Sequence, residues 1–244
     1  MRNTILITAK EFRSYFTSPI AYVVTAVFLA LTGFFFALSV TRPLADASIR
    51  DFVSISQFIL WFIIPALTMR LFAEEQKLGT LEMLLTAPVR DTEVVLGKYL
   101  ASLGVLLAML LPTAYFAALL YWFGTPDTGP ILSAYMGLVL MGAALLTLGL
   151  FASSLSSNQI IAFVVGAGII LVLLFADAVA GLPGANPPLF VQRLVAVVQY
   201  ASIRTHLIDF SRGVIDTRDV VYYAVLTVVG LFLTVRSLET RRWR

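Results

Sequence analysis

The chain has 244 residues, of which 59% are hydrophobic and 13% charged, with a net charge of +3 and a mean hydropathy of +0.92. A soluble domain carries about 25% charged residues, so a water-soluble globular fold is excluded and a polytopic membrane protein is indicated. The absence of cysteine excludes disulfides, thiol catalysis and cysteine metal sites, and in a membrane chain a small basic excess reports orientation rather than nucleic-acid binding.

Residues 1–18 hold Arg2, Lys10, Glu11 and Arg13, with no uncharged core and no small-residue cleavage site, which does not fit a signal peptide. Ile5, Ala9, Phe12 and Phe16 fall on one helical face, and Lys10, Arg13 and Thr17 on another. The pattern predicts an interfacial amphipathic helix on the inner membrane surface, ended by Ser18-Pro19. The plainer alternative is a cytoplasmic extension of the first span. Six segments without a charged residue follow, at 20–40, 52–69, 99–122, 134–153, 159–176 and 220–235. Crossing about 30 Å of hydrocarbon takes roughly 20 apolar residues in a helix. These are therefore six transmembrane helices of one all-α membrane domain covering 1–244. With the N-terminus cytoplasmic, eleven Lys and Arg residues lie inside and six outside. The positive-inside rule then places both termini, and residues 70–98, in the cytoplasm.

Residues 70–98 carry nine of the 31 charges (17 basic and 14 acidic) between two apolar spans. Gly79 breaks any helical extension of the second span, since glycine is a poor helix former and permits a turn. Thr80 is placed to cap a second short helix, with Glu82 near its positive end. Leu78, Leu81 and Leu85 share one face, and Ala87-Pro88 ends the helix. The segment is either a two-sided helix that lodges in a partner's groove or a solvated loop capped by ion pairs.

The fifth connection, 177–219, is too long for a turn and too rich in Leu, Val and Phe for a solvated loop. Breaks at 182–184 and 186–188 precede one or two short helices in or on the outer leaflet, tolerated there when packed against protein. The lone His206 lies in this connection without a second ligand and reads as structural. No phosphate-binding loop, H-E-x-x-H or G-x-S-x-G motif occurs. The spans hold no Asp, Glu, Lys, Arg or His of the kind that ion-coupled transport and proton relays use. An intramembrane enzyme is disfavoured for the same reason, and the source of energy is expected to lie elsewhere.

The run E-E-Q-K-L-G-T-L-E-M-L-L-T-A-P-V at 74–89, followed by L-G-K-Y-L at 96–100, resembles the hallmark of the ABC-2 type permeases, the membrane subunits of one class of ATP-binding-cassette exporters. The closing run Y-A-S-I-R-T-H-L-I-D-F-S-R-G-V-I-D-T-R-D-V-V-Y-Y at 200–223 is similar to permeases of gliding-motility type, and less closely to those of copper-enzyme maturation systems. The resemblance implies a bacterial or archaeal inner-membrane protein that pairs with a second permease copy. It also implies two copies of a cytoplasmic ATPase that holds ATP and Mg, with no cofactor on this chain. The helix between spans two and three would be the coupling helix. That role falls on Glu74, Glu75, Gly79, Thr80, Leu81, Glu82 and Leu85, the acids for ATPase contact, Gly79 and Thr80 for the bend and cap, and the leucines for packing.

The family's path along the dimer interface would place Phe35, Phe58, Trp61, Phe62 and Phe163 beside a hydrophobic or lipid-like cargo. These residues also read as ordinary lipid-facing or core positions. Gly33, Gly166 and Gly168 would allow close helix approach. The resemblance leaves two functions open. One is export of a substrate; the other is transmission of ATP-driven motion to a membrane or periplasmic partner, such as a further membrane-anchored periplasmic subunit.

Overall fold

The computed structural model describes residues 2–41, 48–86, 88–179 and 188–242, and every regular element among them is helical. α1 (Arg2–Thr17) leads into α2 (Pro19–Val40), with proline in the first helical position, where its missing N–H costs nothing. α3 (Arg50–Thr68) continues almost directly into α4 (Arg70–Leu78), and α5 (Thr80–Thr86) follows. α6 (Asp91–Leu110) passes through a single 3₁₀ turn at Leu111–Thr113, where Pro112 interrupts the ladder, into α7 (Ala114–Phe123). α8 (Thr128–Leu155) is capped by the Asp127 carboxylate, and α9 (Gln159–Leu174) by the Asn158 side chain. α10 (Ala176–Val179), α11 (Leu189–Tyr200) and α12 (Ile203–Ser211) precede α13 (Thr217–Arg242).

Six stretches are long and apolar enough to cross a membrane: Ala21–Val40, Arg50–Leu78, Asp91–Phe123, Thr128–Leu155, Gln159–Ala178 and Thr217–Thr240. They coincide with the six expected spans, but several run further. Arg50–Leu78 has 29 residues, a length of about 43 Å at 1.5 Å per residue. It overshoots a hydrocarbon core of about 30 Å and carries α4 out to one side.

α8 is the axis of the bundle, packed by α3, α9, α12 and α13 and buried along most of its length. Lipid tails are as apolar as leucine, so helices in a membrane associate through close packing and hydrogen bonds rather than through a hydrophobic drive. Small residues supply that closeness. A methyl group added at Gly142 would stand 2.5 Å from Leu106 Cδ2, and one at Gly137 would stand 2.8 Å from both Leu207 and Phe210. Gly149 lies against Thr68, and Gly230 of α13 against Thr147. The glycines expected from sequence to serve this purpose do so less. Gly33 and Gly166 have room for a methyl at ordinary contact distance, and Gly168 has nothing within 4 Å.

After the breaks, the connection 177–219 contains two helices, α11 and α12, where one or two were expected; the breaks themselves, Pro188 excepted, lie outside the described residues. α12 buries Ile203, His206, Leu207 and Phe210, and the Ser133 hydroxyl on α8 donates to the Phe210 carbonyl at 2.7 Å. His206 fastens this helix to α13. Its Nδ1 lies 2.6 Å from Asp219 Oδ1, its Nε2 lies 2.9 Å from the Tyr200 carbonyl, and its ring stacks on Tyr222 at 3.9 Å. Both ring nitrogens of His206 are thereby engaged within the chain. α11, in contrast, buries no residue.

Gly149→Val is expected to lower stability by about 1–3 kcal/mol through overpacking against Thr68, read as a lower Tm of the purified chain in detergent. Gly168→Ala, which opens on free space, is expected to leave the Tm unchanged or raised.

Candidate functional site: the α1–α4–α6 junction

α1 lies along α6 with one face turned to it. Ile7 and Phe12 fill the spaces left by Gly97 and Gly104, where an added methyl would come within 2.6 Å and 2.9 Å of them. Polar contacts mark the same face. Asn3 Nδ2 donates to Glu93 Oε2 at 3.1 Å, and the Thr8 hydroxyl donates to the Gly97 carbonyl at 3.2 Å. Tyr15, 1% exposed, donates its phenol proton to the Leu67 carbonyl at 2.9 Å, and the Arg70 guanidinium covers its ring at 4.5 Å. Burial pushes the Tyr15 phenol well above its ordinary value, with the Arg70 charge pulling the other way. The phenol therefore stays a neutral donor.

Lys98 sits at the centre of this junction. Its side chain is 1% exposed, and its Nζ lies 2.8 Å from Glu75 Oε1 and 3.1 Å from Glu11 Oε1. The same ammonium lies 5.3 Å from the centre of the Phe72 ring. A buried cation of this kind is tolerated only when paired and hydrogen-bonded. Its two partners come from α1 and α4, so one side chain on α6 holds three helices together.

The other side of α4 is held by the end of α8. Pro65 lies within α3 and cannot donate to the helical ladder. Just past it, where α3 gives way to α4, the Ser153 hydroxyl accepts from the Phe72 and Ala73 N–H groups at 3.0 and 3.2 Å and donates to the Met69 carbonyl at 2.9 Å. Gln76 Nε2 donates to the Ser154 carbonyl at 3.0 Å, and the Ser154 hydroxyl reaches Ser237 on α13 at 2.9 Å. α4 is thus fixed to α1, α6 and α8.

At the end of this fixed stalk the chain turns. Gly79 has φ 71°, the left-handed region that glycine adopts without steric cost. The turn resets the helical phase, so Leu78 and Leu81 part company: Leu78 is 66% exposed and Leu81 is 4% exposed. The Thr80 hydroxyl, at the first position of α5, donates back to the Glu75 carbonyl at 3.4 Å. Glu74 and Glu82 face outward with Lys77, Leu78 and Met83. Glu75 faces inward to Lys98. The Leu85 side chain and Ala87 lie outside the described residues. The result is a projecting surface of two apolar and three charged side chains on a rigid base.

The aromatic residues are divided. Phe58, Trp61 and Phe62 form one cluster on α3, with Phe58 5.5 Å from each of the other two rings. Phe58 and Phe62 are exposed. Phe35 pairs with Phe34 on α2, and Phe163 makes no ring contact among the described residues. The structure therefore brings three of the five together within the single chain. Sequence reasoning did not find Lys98, Glu11, Tyr15 or Ser153. Only the position of Glu11 and Tyr15 on a face distinct from Ile5, Ala9 and Phe16 hinted that α1 packs against protein.

The profile of the ABC-2 type transporter family matches residues 2–215. Two curated relatives, each described as a probable multidrug ABC transporter permease YbhR, come from Escherichia coli strains K12 and O157:H7. Each is 28% identical over 148 residues, which is 55% of this chain and 39% of the relative. The matched region thus spans about two fifths of the length of these relatives.

Lys98→Met leaves two carboxylates facing each other without their cation. The expected cost is about 3–5 kcal/mol, the range for breaking a buried pair, read as a lower Tm in detergent and faster proteolysis of α1. Adding Glu11→Gln and Glu75→Gln to Lys98→Met is expected to recover a large part of the loss.

Proposed function

We propose that this chain, which belongs to the ABC-2 type transporter family, is the permease subunit of an ATP-driven exporter, and that α5 with the end of α4 docks into a separate cytoplasmic ATPase. The observation that carries the reading is the contrast between base and tip. Glu75 and Leu81 turn inward and are used within the chain, while Glu74, Lys77, Leu78, Glu82 and Met83 are presented together on the turn that Gly79 makes. An exposed apolar pair ringed by charges on a rigid support suits a groove in another protein. Glu74 and Glu82 are the acids for ATPase contact; Glu75 positions the stalk.

In this reading ATP and Mg²⁺ belong to two copies of the ATPase, and two copies of this chain pair in the membrane. α2, α9 and α13 leave most of their apolar surface uncovered, surface that lipid and a second copy would share. The cluster of Phe58, Trp61 and Phe62, in which Phe58 and Phe62 are exposed, then faces the path of a hydrophobic or lipid-like cargo, in keeping with the multidrug description of the YbhR relatives. The spans offer no charge to meet an ionic substrate. With the N-terminus cytoplasmic, α4 and α5 lie on the side where an ATPase is found.

Glu82→Arg is expected to cut the ATPase retained by the tagged chain about tenfold or more, because a like or mismatched charge in a docked interface costs several kcal/mol. The measurement is a mild-detergent pull-down with ATP hydrolysis assayed in the eluate, and the exposed position of Glu82 predicts an unchanged Tm. Equal retention and equal stimulation of hydrolysis by the variant would remove α5 from the docking role.

A further inference from the structure

We infer that the corner between α1 and α2 is a binding site for an anionic phospholipid of the leaflet on which α1 lies. Two adjoining features define it. The first is an apolar groove of about 330 Å³ between the end of α1, the first three turns of α2 and the second half of α6, lined by Phe16, Tyr22, Thr25, Leu29, Val105 and Ala108 among others. The second is the open cationic face of α1, which presents Lys10, Arg13, Ser14 and Thr17 side by side.

Depth sets the occupant's shape. Val105 and Ala108 lie 7 and 10 positions beyond Lys98 on α6, which is about 10–15 Å along the helix axis. Half of a hydrocarbon core is also about 15 Å. The α6 wall of the groove therefore lies beyond the ion-paired junction, about 10–15 Å from Lys98 on the side of the bilayer midplane, a depth at which an acyl chain and not a headgroup would fill it. The ring ladder Phe12–Phe16–Tyr22, with centroids 4.9 and 6.0 Å apart, marks its mouth, in the way that aromatic side chains mark membrane–water boundaries.

Charge sets the headgroup. Glu11 is turned toward Lys98, so the one acid of α1 is already engaged. Lys10 and Arg13 lie on the opposite side of the helix, exposed and without an ion pair among the described residues. No carboxylate lines either feature. Two cations and two hydroxyls thus stand beside the mouth of an apolar groove, and this complements a phosphodiester headgroup rather than a neutral one. The site depends on the chain's membrane location and not on the docking role of α5.

The test uses the full chain in nanodiscs of phosphatidylcholine containing phosphatidylglycerol, released into the gas phase for native mass spectrometry. Retained lipid is then counted per chain. Phosphatidylglycerol is expected to be retained in preference to phosphatidylcholine by about 30-fold, the worth of two basic residues beside an anionic surface. Lys10→Glu with Arg13→Glu should abolish the preference, and Lys10→Arg should keep it. Ala108→Phe, which fills the groove, should reduce retention of both lipids. Equal retention of the two lipids by the native chain would overturn the proposal, as would an undiminished preference in the charge-reversed variant. Full retention in Ala108→Phe would remove the groove as the seat of the acyl chain. Because the readout is bound lipid, a failure of ATPase docking would leave it untouched.

Discussion

The position of Lys98 constrains everything around it. An ammonium group cannot be taken out of water unless its charge is met at once by carboxylates in good geometry. Here the carboxylates come from positions 87 residues before it and 23 residues before it in the chain. Neither can be supplied by the local helix, so α1 and α4 must both be in place for α6 to hold its lysine. The glycines at 97 and 104 serve the same end, since a side chain at either would hold α1 away from α6. A charged group at the edge of a membrane domain thus does what a hydrophobic core does in water: it fixes elements distant in sequence in one arrangement.

The contacts between the other helices have no comparable charge to fix them, and hydroxyls and small residues take over. Ser153 shows how. One hydroxyl accepts two N–H groups at the start of α4 and gives its own proton to the Met69 carbonyl. The backbone groups released where α3 gives way to α4 are met without water, as a site near lipid requires. The break is thereby turned from a weak point into a joint of defined angle. Gly149, one turn before Ser153 on α8, brings that joint against the axis helix by contact with Thr68.

Much of this architecture is legible in the sequence, and the reason is physical. Six charge-free segments admit few solutions in a bilayer, and all six form helices. Gly79 is equally legible, because a left-handed turn has few other residues to choose from. What the sequence hides is phase and partnership. Leu78 and Leu81 share a face only if the helix is unbroken, and the turn that separates them rotates one outward and the other inward. Glu74 and Glu75 are indistinguishable as neighbours, yet only Glu75 reaches Lys98. Among glycines, Gly168 looks the same in the string as Gly149, but contact depends on which helix passes by. Each of these is a question of three-dimensional register, and a single sequence carries no signal for it.

If α5 docks as proposed, the ties at the two ends of α8 would carry a push at its tip along the bundle. At one end Ser153 and Ser154 bind α4 and α13. At the other, Ser133 binds α12 and Tyr223 on α13 donates to the Ile203 carbonyl at 3.0 Å. Ser133 and Ser153 stand 20 positions apart on α8, about 30 Å of helix, packed on α13 with Gly230 against Thr147. A strut tied at both ends and along its length moves as one body, because close-packed interfaces shift between discrete arrangements rather than deform. α2, α9 and α13 each leave most of their apolar surface uncovered; α9 and α13 are nonetheless packed along α8, while α2 packs chiefly on α3. Under the proposed role, displacement of α4 would move α8, α13 and α12 together, and the compliance would lie in α2, whose main contact is with α3 rather than with the axis helix.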